Sequence, residues 1–146
     1  MIDTERELTK LLKPHGYRRK GTCWYKTNPE VVTYLHLQKA YYGGEAFIDL
    51  RAILPELIPN FDYPRAKGYH VSFRLPLLEH TGALRELANL DDTERLAILR
   101  HHVMDVAIPL LEEMSTKEAL ATLANKLVGF GVAPPARAAL GLPLSR

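Results

Sequence analysis

The spacing of hydrophobic residues changes twice along the chain. Residues 17–54 and 69–75 alternate apolar and polar positions with a period of two, which is typical of β-strands. From residue 76 onward the apolar residues recur at intervals of three and four, which indicates helices. A short leucine stripe over residues 4–13 predicts a leading helix. Because strands and helices are segregated along the chain, the pattern predicts an α+β fold.

Four strands are predicted within this pattern, at residues 22–27, 31–40, 46–54 and 69–75. Joined in sequence order they form an antiparallel meander. We expect the N-terminal helix and the C-terminal helices to pack on its apolar face. Antiparallel sheets tolerate solvent on one side, so the opposite face is expected to be at least partly open.

The hairpin between the second and third predicted strands has two signals for its register. Gly43-Gly44 suits a two-residue turn, because such turns require positive φ angles. That turn pairs residues whose numbers add up to 87, so Leu37 faces Leu50 and His36 faces Arg51. A slip of one residue would place apolar side chains opposite polar ones.

The first predicted strand, residues 22–27, has two alternative registers. It joins its neighbour through Asn28-Pro29-Glu30, a turn sequence. A two-residue turn places Trp24 on the core face of the sheet. A three-residue turn places Cys23 and Tyr25 there instead.

A long amphipathic helix is predicted over residues 92–114, with apolar positions at Leu96, Leu99, Val103, Val106 and Leu110. Pro109 removes one hydrogen bond and clashes with the carbonyl of Asp105, so we expect a kink or a break there.

Residues 117–128 form a further predicted helix that ends at Gly129. The tail, residues 129–146, is rich in proline and is either an ordered extension or a frayed end. It has two alternative positions, over the open sheet face or against another subunit.

Composition favours one globular domain over residues 1–146. The chain has 146 residues, of which 47% are hydrophobic and 25% charged. It has no apolar run near the ~18 residues of a membrane span, and its acidic, polar start is unlike a signal peptide. Its single cysteine, Cys23, excludes an internal disulfide. We therefore expect a cytoplasmic protein.

The net charge of +2 is unevenly distributed. Residues 1–40 hold eight basic and four acidic side chains, whereas residues 41–146 hold eleven and thirteen. The segment 13–26 has five basic residues and no acidic residue. Such a segment attracts phosphates or acidic partners, although a solvated edge would have the same composition.

Several short motifs together resemble a known family. They are Gly-Tyr-Arg-Arg-Lys-Gly (16–21), Trp24-Tyr25, Leu-His-Leu-Gln-Lys (35–39) and Phe-Ile-Asp-Leu (47–50). In this order they resemble the bacterial family called domain of unknown function 4304. The resemblance covers about residues 5–113, and the helical extension and tail, 114–146, lie outside it. It implies a fold for the core and no particular activity.

The polar sheet face is the first candidate site. If residues 69–75 belong to the same sheet, it brings together His36, Gln38, Asp49, Arg51, His70, Ser72 and Arg74. These side chains suit a polar ligand or a partner chain, but an ordinary solvated face with cross-strand pairs has the same pattern. Tyr34 and Phe47 on this face indicate that the tail or a second subunit covers part of it.

The basic-aromatic segment 17–26 is the second candidate. Arg18, Arg19, Lys20 and Trp24 could hold phosphates and stack on bases. In the alternative interpretation the aromatic rings belong to the core and the cations face solvent.

Metal and catalytic motifs are not found. His36 and His70 would lie about 9–10 Å apart on non-adjacent strands, too far to share an ion. His101 and Asp105 have the i, i+4 spacing of a surface ion pair. No nucleophile elbow, phosphate loop or dinucleotide fingerprint occurs. We expect no metal and no cofactor.

Three functional hypotheses follow. The first is a binding module that uses the polar sheet face to hold a protein partner or a second copy of the chain. The second is a nucleic-acid or anion binder that uses residues 17–26. The third is an enzyme of a class that these motifs do not identify. No membrane association is expected.

Overall fold

The computed structural model describes residues 4–39, 46–62, 64, 68–75, 92–126 and 131–143. The helices are α1 (Thr4–Leu12), α2 (Asp92–His101), α3 (Ile108–Glu113), α4 (Lys117–Lys126) and α5 (Pro134–Leu140), and a π-helical segment (His102–Ala107) joins α2 to α3. The strands are β1 (Arg18–Lys20), β2 (Cys23–Thr27), β3 (Val32–Lys39), β4 (Ala46–Ile53), β5 (Val71–Arg74) and β6 (Gly131–Val132). Short 3-10 helices follow α1 and β4, at Lys13–His15 and Pro55–Leu57. The predicted α+β class is confirmed.

Within the described residues, the sheet has six antiparallel strands in the order β1-β2-β3-β4-β5-β6. The prediction of four strands was wrong, because it omitted the two edge strands β1 and β6. β1 consists of three exposed cations and β6 of two residues. Neither strand is long enough, or varied enough in polarity, to show a period of two.

The β3–β4 register differs from the predicted one by two residues. Leu35 pairs with Leu50, Leu37 with Ile48, and His36 with Asp49. A shift of two residues leaves every side chain on the same face, so alternation could not detect the error. The predicted Gly43-Gly44 turn lies outside the described residues.

Trp24 lies on the core face of the sheet. It pairs with Leu35, and the Asn28 amide donates to the carbonyl of Val31 at 3.1 Å, which closes a two-residue turn. The indole is 1% exposed, and its Nε1 donates to the hydroxyl of Thr9 on α1 at 3.0 Å. The chain therefore adopts the first of the two alternative registers.

The main hydrophobic core lies between the sheet and the helices. It joins Leu35 and Leu50 of the sheet to residues from all five helices or the turns beside them, among them Leu8, Leu99, Leu111, Leu120 and Ala136. The tail contributes Ala136 and also Leu142, so its described part is an ordered extension. It adds a strand to the sheet edge and packs a helix into the main core.

A smaller apolar cluster lies apart from the main core. Cys23, Val32, Tyr34 and Ile53 form it, and Ile58 and Phe61 pack against it. The connection that follows β4 therefore covers part of the cluster that contains Tyr34. Neither occupant considered from the sequence, the tail or a second subunit, is needed to bury this tyrosine.

The α2–α3 helix changes its winding just before Pro109. Residues 102–107 are π-helical, and the Ile108 amide donates to the carbonyl of Val103, five residues back. This wider turn accommodates the proline, which has no amide hydrogen to donate. We expected a kink or a break at Pro109. Instead, the helix continues and holds one extra residue in its π-helical turn.

The surplus residue shifts the buried face of the helix by one position. Leu99 and Val103 are buried as predicted, but Ala107 and Leu111 follow them in the core instead of Val106 and Leu110. Val106 is 36% exposed. The predicted stop of the next helix at Gly129 lies outside the described residues.

This shift in phase predicts very different losses of stability for two neighbouring substitutions. Val106→Lys should change the free energy of unfolding by less than about 1 kcal/mol, because its side chain reaches solvent. Ala107→Lys should cost about 3 kcal/mol or more, because it buries an unpaired charge. Urea titration followed by Trp24 fluorescence measures both. A larger loss for Val106→Lys would contradict the π-helical phase.

Candidate functional site

Strand pairing aligns two rows of side chains on the polar face of the sheet. The first row contains Cys23, His36, Asp49 and Arg74, and the second contains Tyr25, Tyr34, Arg51 and Ser72. Each row contains one residue from each of the strands β2 to β5. Neighbours within a row therefore lie opposite each other on adjacent strands, close enough for their side chains to interact. Residues far apart in sequence therefore form one polar network.

Asp49 is the centre of this network. Its carboxylate is 2% exposed and accepts hydrogen bonds from two guanidinium groups. Arg74 Nε donates to Oδ1 at 2.9 Å, and Arg51 Nη2 donates to Oδ2 at 3.3 Å. A buried charge is tolerated only when it is paired and hydrogen-bonded, and both conditions are met here.

Arg51 is the buried cation of the network, at 5% exposure. Its Nη1 lies 3.1 Å from Nδ1 of His36, and its Nε donates to the hydroxyl of Ser72 at 3.3 Å. The ring of Tyr69 stacks on the guanidinium, with 4.0 Å between Cζ and the ring centroid. The predicted strand 69–75 began at Tyr69 and, by alternation with Ser72 and Arg74, would place this ring on the apolar face, whereas β5 begins only at Val71 and the ring contacts Arg51.

His36 is a neutral acceptor in this network. A guanidinium can only donate, so Nδ1 of His36 accepts and the ring proton resides on Nε2. Burial and the neighbouring positive charge of Arg51 lower the pKa of His36 from 6.5 to about 4, against the opposing effect of Asp49. The network therefore holds two positive charges and one negative charge at neutral pH.

Arg74 forms the accessible rim of the same network. Its side chain is 44% exposed, and its guanidinium lies over the ring of Phe47 at 4.2 Å. Nη2 donates to Oε1 of Gln38 at 3.1 Å, while Nε and Nη2 reach Asp49. Within the part of the chain that the structure describes, Nη1 has no hydrogen-bond partner.

His70 does not join the network, although the sequence placed it on the same face. Its Nδ1 accepts a hydrogen bond from the backbone amide of Leu54 at 2.9 Å. Burial lowers its pKa. Its role is to close the backbone between β4 and β5, so it offers no acceptor at Nδ1 to a ligand.

The structure thus brings six of the seven predicted side chains together, but buries the middle three. His36, Asp49 and Arg51 are each at most 5% exposed, so the face is closed where it was expected to be open. Sequence reasoning placed Phe47 on this face but did not show that its ring stacks on Arg74. Alternation along the predicted strand 69–75 put Tyr69 on the opposite face, because it could not show that β5 begins only at Val71.

Two aromatic rings of the basic segment 17–26, those of Tyr17 and Trp24, are buried, and Tyr25 is half-buried on the other face of the sheet. Tyr17 and Trp24 are 3% and 1% exposed, and Tyr17 donates to a carboxylate oxygen of Glu112 at 3.4 Å. Arg19 forms an ion pair with Glu5, and Arg18 and Lys20 are exposed. Base stacking on these rings is therefore blocked in this conformation.

Cys23 is 2% exposed, and burial raises the pKa of its thiol to about 11, against the opposing effect of Arg51. The thiol is protonated at neutral pH and is a poor nucleophile.

His101 Nδ1 lies 2.8 Å from Oδ2 of Asp105 in an exposed pair, consistent with a surface ion pair. Across the described residues, no group of three or more His, Cys, Asp or Glu side chains is arranged to hold a metal ion. Among those same residues, no helix combines the length and apolarity that crossing a membrane would require.

The pairing of Asp49 predicts a large cost for removing its charge. Asp49→Asn leaves the buried Arg51 without its counter-charge and should lower the free energy of unfolding by about 3 kcal/mol. Asp105→Asn is the matched control, because Asp105 is exposed, and should change it by less than about 1 kcal/mol. Chemical denaturation compares the two. Equal losses would show that the network does not stabilise the fold.

The lowered pKa of His36 predicts acid sensitivity. Below pH 6.5 the unfolded chain protonates this histidine, whereas the folded chain resists until about pH 4. The unfolded state then binds more protons, so stability falls as the pH drops through this window. Between about pH 7 and about pH 4.5, the wild type should lose about 2 kcal/mol more than His36→Asn, which cannot titrate. Parallel losses in urea titrations would contradict this account.

Comparison with known protein families matches residues 8–113 to a family described as a domain of unknown function. Comparison with curated proteins and with solved structures finds no match. The matched range holds the second half of α1, the strands β1 to β5, the α2–α3 helix and every residue of the polar network. α4, β6 and α5 lie beyond it. Since the match spans well over half of the chain, this chain belongs to the DUF4304 family.

Proposed function

We propose that the protein is an interaction module that binds a carboxylate of a protein partner at the rim of its polar sheet face. The observation that carries this proposal is the guanidinium of Arg74. It is held in place by Asp49, Gln38 and Phe47, yet its Nη1 has no partner among the described residues. Arginine binds carboxylates strongly through charge-assisted hydrogen bonds.

The fixed position of Arg74 supports binding. A free arginine loses side-chain entropy when it contacts a partner, at a cost of about 0.5–1.5 kcal/mol. Here two acceptors and one ring already restrain it. Most of this side-chain entropy is therefore already lost when the sheet folds, before a partner binds.

The charge and the surroundings of the rim also favour an acidic partner. The network carries one excess positive charge, because His36 is neutral and Asp49 faces two guanidinium groups. Phe47 is half-buried and Tyr69 is 40% exposed. Arginine and tyrosine are over-represented among the residues that dominate protein–protein binding energies.

The buried middle of the network defines what the rim can do. His36 and Arg51 are closed to a partner and act as the scaffold that positions Asp49. The proposed contact surface is therefore narrower than the seven-residue face inferred from alternation. It comprises Gln38, Phe47, Tyr69 and Arg74.

A peptide titration tests this function. A tetraglutamate peptide with blocked ends, added at low ionic strength, should shift the side-chain Nε–Hε signal of Arg74 in nuclear magnetic resonance spectra. Arg74→Gln should weaken binding at least about tenfold, the size of one charge-assisted hydrogen bond. Arg18→Gln removes an exposed cation on β1 and should leave the affinity within about twofold.

Two results would contradict the proposal. One is an Arg74 signal that does not move while the peptide binds. The other is a loss of affinity in Arg18→Gln that equals the loss in Arg74→Gln, because it would transfer binding to the basic segment or to net charge alone.

A further inference from the structure

A groove of about 490 Å³ lies where the end of α1 meets β1. Lys13 and Arg19 line it, together with Thr9 and Trp24. Arg18 also borders the groove, but it pairs with Tyr25, so its side chain lies on the opposite face of the sheet from Arg19. None of the described residues that line it is acidic. A concave surface lined by charges of one sign concentrates ligands of the opposite sign.

Arg19 is the fixed element of this groove. Its Nε donates to the carbonyl of Gly21 at 2.9 Å, its Nη2 pairs with Glu5, and its guanidinium lies 5.2 Å from the centroid of Trp24. These contacts leave Nη1 without a partner among the described residues. Nη1 of Arg19 is therefore restrained in position and can donate a hydrogen bond to a ligand.

Lys13 is exposed and forms no ion pair with any residue that the structure describes. The end of α1 beside it carries the negative end of the helix dipole, which disfavours an anion. Two of its carbonyls, those of Leu12 and Lys13, already accept the amides of Tyr17 and Gly16, which weakens this effect. The groove thus combines one unpaired cation with a restrained guanidinium edge.

We propose that this groove binds a phosphate ester of a small soluble molecule, with its oxygens on Lys13 and Nη1 of Arg19. Its volume lies in the range of small-molecule sites, which is about 300–1,000 Å³. The burial of Trp24 disfavours a single-stranded nucleic acid, because such ligands gain much of their affinity by stacking bases on exposed rings.

The proposal is independent of the carboxylate site at Arg74. Arg74 is not among the residues that line the groove, and Arg18 and Arg19 are not part of the polar network. Arg74→Gln should therefore leave binding in the groove unchanged. This variant separates the failure of one proposal from the failure of the other.

Pyrophosphate serves as the probe, and Trp24 serves as the reporter, because it is the only tryptophan in the chain and lines the groove. At low ionic strength, pyrophosphate should change Trp24 fluorescence saturably, with a dissociation constant below about 1 mM. Lys13→Gln/Arg19→Gln should weaken binding at least about tenfold. Isothermal titration calorimetry measures the same affinity independently of the fluorophore.

The matched control is Arg100→Gln/Lys126→Gln, which removes the same number of positive charges from exposed positions outside the groove. It should stay within about twofold of the wild type. Equal weakening by the two double variants would overturn the proposal, because binding would then follow net charge. No saturation at about 10 mM pyrophosphate would also overturn it.

Two further probes separate the sources of phosphate. A single-stranded oligonucleotide of about twelve residues that binds more than tenfold tighter than pyrophosphate would assign the groove to nucleic acid and overturn the proposal. Binding to vesicles that contain phosphatidic acid, without competition by pyrophosphate, would assign it to a lipid surface and also overturn it. Weak binding of both, with pyrophosphate retained, supports a small soluble phosphate ester.

Discussion

The carboxylate of Asp49 is the constraint on which the polar half of this sheet depends. It is buried, and it joins a buried guanidinium, that of Arg51, to an exposed one, that of Arg74. A cation at the burial of Arg51 is stable only beside a counter-charge. The same carboxylate fixes the orientation of Arg74 at the rim. One side chain thus links the stability of the sheet to the presentation of its accessible cation.

The faces of the strands could be predicted from the sequence, but the alignment of the strands could not. Alternation has a period of two, so the true β3–β4 register and one shifted by two residues place Leu35 and Leu37 on the same face. The same limit applies to burial. Alternation placed His36 and Arg51 together but carried no information on what covers them, because covering depends on segments distant in sequence.

Short elements and local hydrogen bonding account for the remaining differences. β1 and β6 are too short to establish a period. The predicted strand 69–75 began with Tyr69, but β5 begins at Val71, so alternation assigned Tyr69 to the wrong face. Pro109 revealed a disturbance in the long helix but not its form. Whether a helix bends, breaks or widens at a proline depends on which carbonyls find new donors. Here the Val103 carbonyl accepts from Ile108 and the helix continues.

The two-residue strand β6 protects a sheet edge. It pairs with Val71 and Ser72 of β5, and the following Ala133 amide donates to the carbonyl of His70 at 2.8 Å. Without this cover, β5 would present unpaired backbone groups, which recruit strands from other molecules and promote aggregation. β6 lies beyond the range matched to the family. The C-terminal extension therefore covers the edge of β5. A chain that ends before residue 131 would leave this edge free to pair with a strand of a second molecule.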